Sequence, residues 1–154
     1  MANVKAQAWG FDLIIGVVIF LAGILFFYMY TVNYPTGEQE KYDGLLHEGE
    51  LVSDSLLSEG SPENWNGTNV VRIGLVSDGR INNTKLGYFT ALAGSNYNLT
   101  KRLFRIRNEY FVFFGDDVAG GIGRPGDSAA NLAKITRVTI YDNNITTMNL
   151  HIWN

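Results

Sequence analysis

An uncharged stretch of 20 residues, Leu13 to Val32, is the feature that most limits how this chain can fold. As an α-helix rising about 1.5 Å per residue it would be roughly 30 Å long, which matches the hydrocarbon core of a bilayer. A cleavable secretory signal usually has a shorter apolar region, of about 7 to 15 residues, followed by a small-x-small cleavage site. This stretch runs on to Pro35 without such a site. The sequence therefore predicts a retained transmembrane helix that precedes a soluble head.

The residues on either side of the stretch predict its orientation. Lys5 and the amino terminus are the positive groups before it, whereas acids outnumber bases directly after it. The positive-inside tendency then places residues 1–8 in the cytoplasm and the head outside the cell. Aromatic side chains, which favour the headgroup level, stand at both ends: Trp9 and Phe11 at one, and Tyr28, Tyr30 and Tyr34 at the other.

The four residues Lys5-Ala6-Gln7-Ala8, directly in front of the apolar stretch, resemble the class III signal peptide of archaeal type IV pilins and archaellins. The resemblance implies that a prepilin peptidase cuts after Ala6, which leaves Gln7 as the new amino terminus. It also implies that the helix survives cleavage, anchors the protein in the membrane, and then packs against other subunits in the core of a filament. The head resembles archaeal pilin-like surface proteins only in layout.

One acid lies at the edge of this helix. The family often carries an acid at the fifth mature position, but counting from Gln7 the fifth residue here is Phe11 and the acid, Asp12, is sixth. A carboxylate at the membrane edge is costly without a partner, and the Gln7 amine of an adjacent subunit would be a suitable one. The alternative is that Asp12 only reaches the cytoplasmic headgroups.

Two glycines of the helix, Gly16 and Gly23, are seven residues apart and therefore lie on the same side. Small residues at such positions allow two helices to approach closely, which makes both glycines candidates for subunit packing.

A second, amphipathic helix is predicted from about 38 to 59, because apolar residues recur there in steps of three and four. We expect Pro35 to interrupt the chain between membrane and head, and Gly60-Ser61-Pro62 to end the helix. In a pilin-like protein this would be the exposed half of the long N-terminal helix; otherwise it is the first helix of the head. The predicted organisation is a leader (1–6), a transmembrane and filament-core helix (7–34), a stalk helix (35–60) and an extracellular head (61–154).

The rest of the head is predicted to mix helices and strands. The aromatic run from Glu109 to Phe114 predicts a strand that is covered on both faces. The fold class is therefore α+β, in which the long hydrophobic helix continues into a stalk helix packed on a small antiparallel sheet. The other expected elements are a strand over 70–76, a helix to about 93 capped by Asn82 or Asn83, a helix over 98–105 capped by Asn98, and a terminal hairpin of strands 133–141 and 145–153.

Charge is divided between two blocks of the head. Residues 38–63 have a balance of −7 and residues 72–107 a balance of +6. Two such blocks can attract each other within one molecule or between neighbours, and the sequence leaves both open. The net charge of −3 argues against a general nucleic-acid binder.

The residues needed for catalysis are scarce. The chain has no cysteine, which excludes a disulfide framework, a thiolate nucleophile and a cysteine-ligated metal. Of the two histidines, His47 lacks the second histidine four residues on that a zinc helix needs, and His151 lies in a predicted packed strand. We therefore expect a protein that is not an enzyme and that has no cofactor and no metal site.

The glycine-rich loop from Gly115 to Gly126 does not predict a phosphate site, because it lacks the Lys-Ser/Thr ending of a P-loop. Acids around it, Asp116, Asp117 and Asp127, are the residue type that binds calcium, although such loops are more often solvated turns.

Four Asn-x-Thr sequons are present, at Asn66, Asn82, Asn98 and Asn144. On a head outside the cell they are candidate N-glycosylation sites. Asn82 and Asn98 also suit helix caps and Asn144 a turn, and these roles are compatible with glycosylation.

Together these features predict a structural subunit of a type IV pilus-like surface filament. Its expected partners are other copies or related pilins, the prepilin peptidase and the lipid bilayer, with no nucleic acid. The alternative is a single-pass, membrane-anchored surface module for binding or cell adhesion that does not polymerise. An anchored hydrolase is a third class, and it would need acids arranged in a cleft.

Overall fold

The computed structural model describes residues 4–33, 37–126 and 129–154, without the side chains at 4–9, 33 and 38. Within this part the fold is α+β: a long apolar helix, a second helix, and then small antiparallel sheets with two further helices. The break predicted at Pro35 lies outside the described residues. The helices are α1 (Val4–Asn33), α2 (Gly37–Leu56), α3 (Asn83–Ser95) and α4 (Tyr97–Phe104). The strands are β1 (Val76–Ser77), β2 (Arg80–Ile81), β3 (Glu109–Phe114), β4 (Ile122–Gly123), β5 (Leu132–Tyr141) and β6 (Asn144–Trp153).

The chain forms two compact units, Met1–Gln39 and Glu40–Asn154. In the described residues the first unit is mainly helix α1. The second unit is the head, whose main hydrophobic core includes residues of α2.

Four strands form the main sheet of the head in the order β4-β3-β6-β5, with all neighbours antiparallel. The terminal hairpin of β5 and β6 is confirmed. Its turn is made by Asp142 and Asn143, whose φ angles are both positive, at 49° and 61°. Two successive residues in this conformation give a turn whose twist matches that of the flanking strands, and Asn and Asp tolerate it better than other side chains.

Helix α2 buries part of the face that its apolar spacing predicts, while Tyr42 and Leu51 of the same pattern are exposed. Leu45, Val52 and Leu56 are completely buried. Between them, Gly49 lies so close to Ile135 of β5 that an added Cβ atom would overlap the isoleucine side chain. The absence of a side chain at this position therefore lets the helix backbone sit directly on the sheet. The helix ends at Leu56 rather than near residue 59.

Strand β3 is covered on both faces, as its aromatic content predicts. On the inner face, the Tyr110 ring lies 4.9 Å from Tyr97, 5.4 Å from Phe104 and 6.3 Å from Phe89, centroid to centroid. On the outer face, Phe111 and Phe113 join Trp153 in a second, smaller apolar cluster.

The strand predicted over 70–76 is wrong, because this segment pairs with the end of a helix instead of with a strand. Leu75 N–H donates to the carbonyl of Leu56 at 2.8 Å, and Ser55 Oγ donates to the carbonyl of Ile73 at 2.7 Å. Beyond an isolated bridge at Arg72, regular strand begins only at Val76. The last carbonyls of a helix have no partner within the helix, and here one of them accepts this segment.

The cap predicted for the second short helix is also wrong. Helix α4 begins at Tyr97 and is capped by Asn96, whose Oδ1 accepts the Leu99 N–H at 3.1 Å, while Asn98 lies inside the first turn. Asn96 also ends α3, so one residue separates the two helices. By contrast, Asn82 caps α3 as predicted, accepting the N–H groups of Thr84 and Lys85 at 2.9 and 3.2 Å.

Candidate functional site

Helix α1 carries an apolar surface that the chain itself does not cover. The span Gly10–Val32 is 23 residues long, is apolar enough to cross a membrane, and has no buried residue. Large side chains are exposed along its whole length, from Phe11 at 71% to Phe26 at 74% and Val32 at 62%. At about 1.5 Å per residue the span covers roughly 35 Å, which is sufficient for a bilayer core. This bare helix is the strongest candidate for a functional surface.

Three of the residues predicted for subunit packing lie along one line of α1. At 100° per residue, Gly16 and Gly23 are about 40° and 20° from Asp12 around the helix axis. Asp12 is exposed. A Cβ atom added at either glycine would have no atom within 4 Å, so nothing inside the described chain requires glycine there. The line therefore carries Asp12, the one charged residue of the apolar span, together with two glycines at which no side chain covers the backbone.

The predicted leader cleavage site lies in the first turns of α1. Lys5, Ala6 and Gln7 all belong to the helix as it is described from Val4 onwards, and their side chains lie outside the described part.

On the head, the carboxylate of Glu48 accepts hydrogen bonds from the residues just before β3. Its carboxylate accepts the N–H of Arg107 at 3.2 Å, the N–H of Asn108 at 3.1 Å and the side-chain Nδ2 of Asn108 at 3.0 Å. Hydrogen bonds to an ionised acceptor are stronger than neutral ones. Glu48 thus fastens α2 to the turn before β3. The sequence singled out its neighbour His47, which is exposed, and missed this role.

The two charge blocks do not neutralise each other through ion pairs between described side chains. The pairs found there are Lys101 with Glu109 at 2.7 Å, Arg124 with Glu109 at 3.4 Å and Arg137 with Asp54 at 3.6 Å. None of them joins residues 38–63 to residues 72–107. Most of the basic block is therefore presented to solvent, including the exposed side chains of Arg72, Arg102, Arg105 and Arg107.

One base of that block, Lys85, is buried instead, which no local sequence pattern predicts. Its Nζ donates to the carbonyl of Glu59 at 2.8 Å and to the carbonyl of Val76 at 2.9 Å. Only 6% of the residue is exposed. These bonds link α3 to the chain on both sides of the 60–75 segment, which indicates a structural role.

The glycine-rich loop packs on the outer face of the sheet. An added Cβ atom at Gly121 would overlap the ring of Phe111, and one at Gly126 would press on Trp153. Two of the five glycines in the loop therefore allow the backbone to approach aromatic rings closely. Asp117 Oδ1 accepts the N–H of Gly120 at 3.0 Å within this loop.

The remaining candidate ligands are dispersed. Among the described residues no group of three or more His, Asp or Glu side chains is close enough to hold a metal ion, and Asp127 lies outside them. His151 meets the ring of Phe113 edge-on at 5.3 Å. Burial, together with the charge of Lys134, lowers the pKa of His151.

A small polar network surrounds the start of β3. Tyr97 Oη accepts the N–H of Tyr110 at 2.8 Å, and the guanidinium of Arg124 lies 4.7 Å from the centre of the Tyr97 ring. Burial raises the pKa of Tyr97, and it raises the pKa of Tyr110 to about 12. Burial alone would also raise the pKa of Glu109, but the hydrogen bond and charge of Lys101, with the charge of Arg124, lower it below its usual value. The network holds its tyrosines neutral and its carboxylate ionised.

The four sequon asparagines occupy different kinds of structure. Asn66 lies in a turn, Asn82 is the cap of α3, Asn98 is exposed in α4, and Asn144 is the exposed first residue of β6.

Comparison of the chain with protein-family models, with curated proteins and with solved structures gives no match. The function therefore has to be argued from the helix and the head themselves.

Proposed function

We propose that this protein is a structural subunit of a type IV pilus-like surface filament, anchored in the membrane by α1 before assembly. The single observation that carries the proposal is the uncovered apolar span Gly10–Val32. Burying a large apolar side chain stabilises a protein by about 1.5–3 kcal/mol relative to leaving it in water. A helix with this surface all round requires a surrounding apolar medium, which a bilayer supplies first and neighbouring α1 helices supply later.

Transfer of the helix from bilayer to filament does not gain hydrophobic energy, because its side chains have already left water. Helices in lipid associate through close packing and through hydrogen bonds between them. Gly16 and Gly23, where nothing lies within 4 Å of an added Cβ atom, supply bare backbone for such packing. These features support assembly through α1 rather than anchoring alone.

Asp12 supports the same proposal, because a carboxylate near the end of an apolar span needs a partner. Cleavage after Ala6 would create a new amine at Gln7, one to two turns before Asp12. In a filament the amine of one subunit would pair with the Asp12 carboxylate of the next, which removes the cost of burying either charge alone. In this arrangement the leader faces the cytoplasm and the head lies outside the cell.

N-terminal sequencing of protein extracted from membranes, together with electron microscopy of sheared surface material, tests the proposal. We expect a mature chain that begins at Gln7 and filaments that contain it. Ala6→Trp places a bulky residue at the cut and should abolish both cleavage and filaments. Ala2→Trp makes the same change within the leader but away from the cut, and should leave both intact.

Other outcomes separate the alternatives. An intact Met1 with no filaments would support a membrane-anchored adhesion module. A freely dissolved protein that has lost residues 13–32 would contradict anchor and filament alike.

A further inference from the structure

The head contains one asparagine that is arranged as an acceptor for an N-linked glycan, and three sequon asparagines that are not. Transfer of a glycan requires an accessible Asn Nδ2 and, two residues further along the chain, a hydroxyl group that the transferase can bind. It also requires a segment able to enter an enzyme, which favours loops over helices and sheets. The four sequons of this chain differ in all three respects.

Asn66 is partly exposed, and within the described part of the chain it combines a loop position with an amide nitrogen free of hydrogen bonds and an exposed hydroxyl two residues on. It lies outside helix and strand, and its Oδ1 accepts both the N–H of Thr68, at 2.9 Å, and the hydroxyl of Thr68, at 2.7 Å. Thr68 is exposed, and no hydrogen bond occupies Asn66 Nδ2 among the described residues. At the base of the turn, Trp65 is buried and its Nε1 donates to the carbonyl of Gly74 at 2.8 Å. The head thus presents amide and hydroxyl side by side on a fixed support.

The side chain of Asn98 is exposed, but the hydroxyl of its sequon is not accessible to a transferase. The hydroxyl it depends on belongs to Thr100, which is completely buried. That hydroxyl donates to the carbonyl of Tyr97 at 2.7 Å and also contacts the Tyr110 hydroxyl at 2.5 Å. A transferase could reach Thr100 only by unfolding the start of α4.

The other two asparagines use their amides in the fold. Asn82 Oδ1 caps α3, and its Nδ2 donates to Ser77 Oγ at 3.3 Å. Asn144 Nδ2 donates to the carbonyl of Asp142 at 3.1 Å, and its backbone is paired in the hairpin with Tyr141. Glycosylation of either would compete with the structure that holds it.

We propose that Asn66 is the N-glycosylation site of this protein, modified on the folded head by a lipid-linked saccharide donor. Asn66 Nδ2 attacks the anomeric carbon of the sugar, a C–N bond forms, and the bond from that carbon to the phosphate oxygen of the lipid carrier breaks. The amide nitrogen loses one proton, and the lipid phosphate leaves as an anion. The inference rests on the proposed function in one respect, since the head has to lie on the outer face of the membrane.

Glycopeptide mass spectrometry of the full-length protein from native membranes tests the site. We expect a saccharide on the Asn66 peptide and bare peptides for Asn82, Asn98 and Asn144. Asn66→Gln and Thr68→Val should each remove the added mass completely, while Thr68→Ser, which keeps the hydroxyl, should retain it. Asn64→Gln changes an exposed asparagine of the same loop that is not in a sequon, and it should leave the mass unchanged.

Two results would overturn the proposal. Equal occupancy of Asn66 and Asn98 would mean that the saccharide is added before the head folds. Suppose that a membrane-impermeant lysine reagent labels the head from outside and that the mature chain begins at Gln7. Four bare peptides from such a protein would contradict the glycosylation site but leave the filament proposal standing. Bare peptides on a head protected from that reagent would instead contradict the proposed orientation as well.

Discussion

The carboxylate of Glu48 and the amide groups of Asn108 join α2 to the segment directly before β3. Glu48 Oε2 accepts the backbone N–H of Asn108 at 3.1 Å and its side-chain Nδ2 at 3.0 Å. The two residues are 60 positions apart in sequence, so this contact closes a large loop around α3 and α4. Helix α2 is held to the head by directed bonds as well as by its apolar face.

We expect Glu48→Ala to destabilise the head by about 1–3 kcal/mol, because it leaves the N–H groups of Arg107 and Asn108 without their acceptor. Thermal or denaturant unfolding of the detergent-solubilised protein measures this. Glu50→Ala is the matched control, since Glu50 is an exposed acid on the same helix, and it should change stability by less than about 0.5 kcal/mol. Equal effects of the two variants would contradict the structural role of Glu48.

Two glycines of α2 should respond to alanine in opposite directions. Gly49→Ala forces a methyl group into the side chain of Ile135 and should destabilise the head by about 1–3 kcal/mol. Gly44→Ala meets nothing within 4 Å and should stabilise the helix by about 0.5–1 kcal/mol, because alanine loses less backbone entropy than glycine. The difference in melting temperature between the two variants is the measurement, and a shift of the same sign in both would contradict the packing.

The stability contributed by Glu109 should depend on pH. Its pKa in the folded head is lowered from the usual 4.5, so the ionised form stabilises the fold above that value. The contribution is lost as the pH falls below 4.5 and through the lower pKa of the folded state. Unfolding of wild type and Glu109→Gln should therefore differ at neutral pH and converge in acid. A gap that stayed constant on acidification would rule out the ionised carboxylate as the cause.

Substitutions at the bare glycines of α1 should separate assembly from anchoring. Gly16→Leu and Gly23→Leu fill positions that the proposed filament needs for close helix packing, and we expect filaments to be lost while the protein stays in the membrane fraction. Val18→Leu adds volume about 120° or more from both glycines around the helix, and it should reduce assembly less. Counting filaments and quantifying membrane-bound protein for each variant tests this. Normal filaments from both glycine variants would exclude packing along this line.

Asp12→Asn removes the charge that the proposed pairing with the Gln7 amine requires, without changing the side-chain size. We expect fewer filaments and unchanged cleavage, with the same amount of protein in the membrane. Asp43→Asn, at an exposed acid of α2, is the control for a general effect of charge and should assemble normally. Unchanged assembly of the Asp12 variant would show that its carboxylate only meets the headgroups.

Features that depend on local pattern were predictable from the sequence. The apolar spacing of α2 predicted which face Leu45, Val52 and Leu56 bury, and the aromatic run predicted a β3 covered on both sides. The Asp142-Asn143 turn predicted the hairpin, since few side chains tolerate two successive positive φ angles. Each of these signals is contained in a window of a few residues, so no tertiary partner had to be known.

Features that depend on distant partners were not predictable. The 70–76 segment has the composition of a strand, yet the open carbonyl at Leu56 and the Ser55 hydroxyl take up its polar groups. The sequence around Lys85 is typical of a surface base, but two backbone carbonyls on either side of a loop accept hydrogen bonds from its Nζ. Of the two nearby cap formers Asn96 and Asn98, Asn96 caps α4 because α3 ends there. The proposed glycosylation site is a similar case, because burial of Thr100 distinguishes Asn98 from Asn66 and no sequon pattern encodes that burial.

The position of β6 in the sheet affects how the head can be produced. This strand lies between β3 and β5 and pairs with both, so β3 and β5 are joined in the sheet only through residues 144–153. A nascent chain that has emerged only as far as residue 143 has both flanking strands but nothing to hold them together. The main sheet of the head can therefore close only after residues 144–153 have been synthesised and have inserted between β3 and β5.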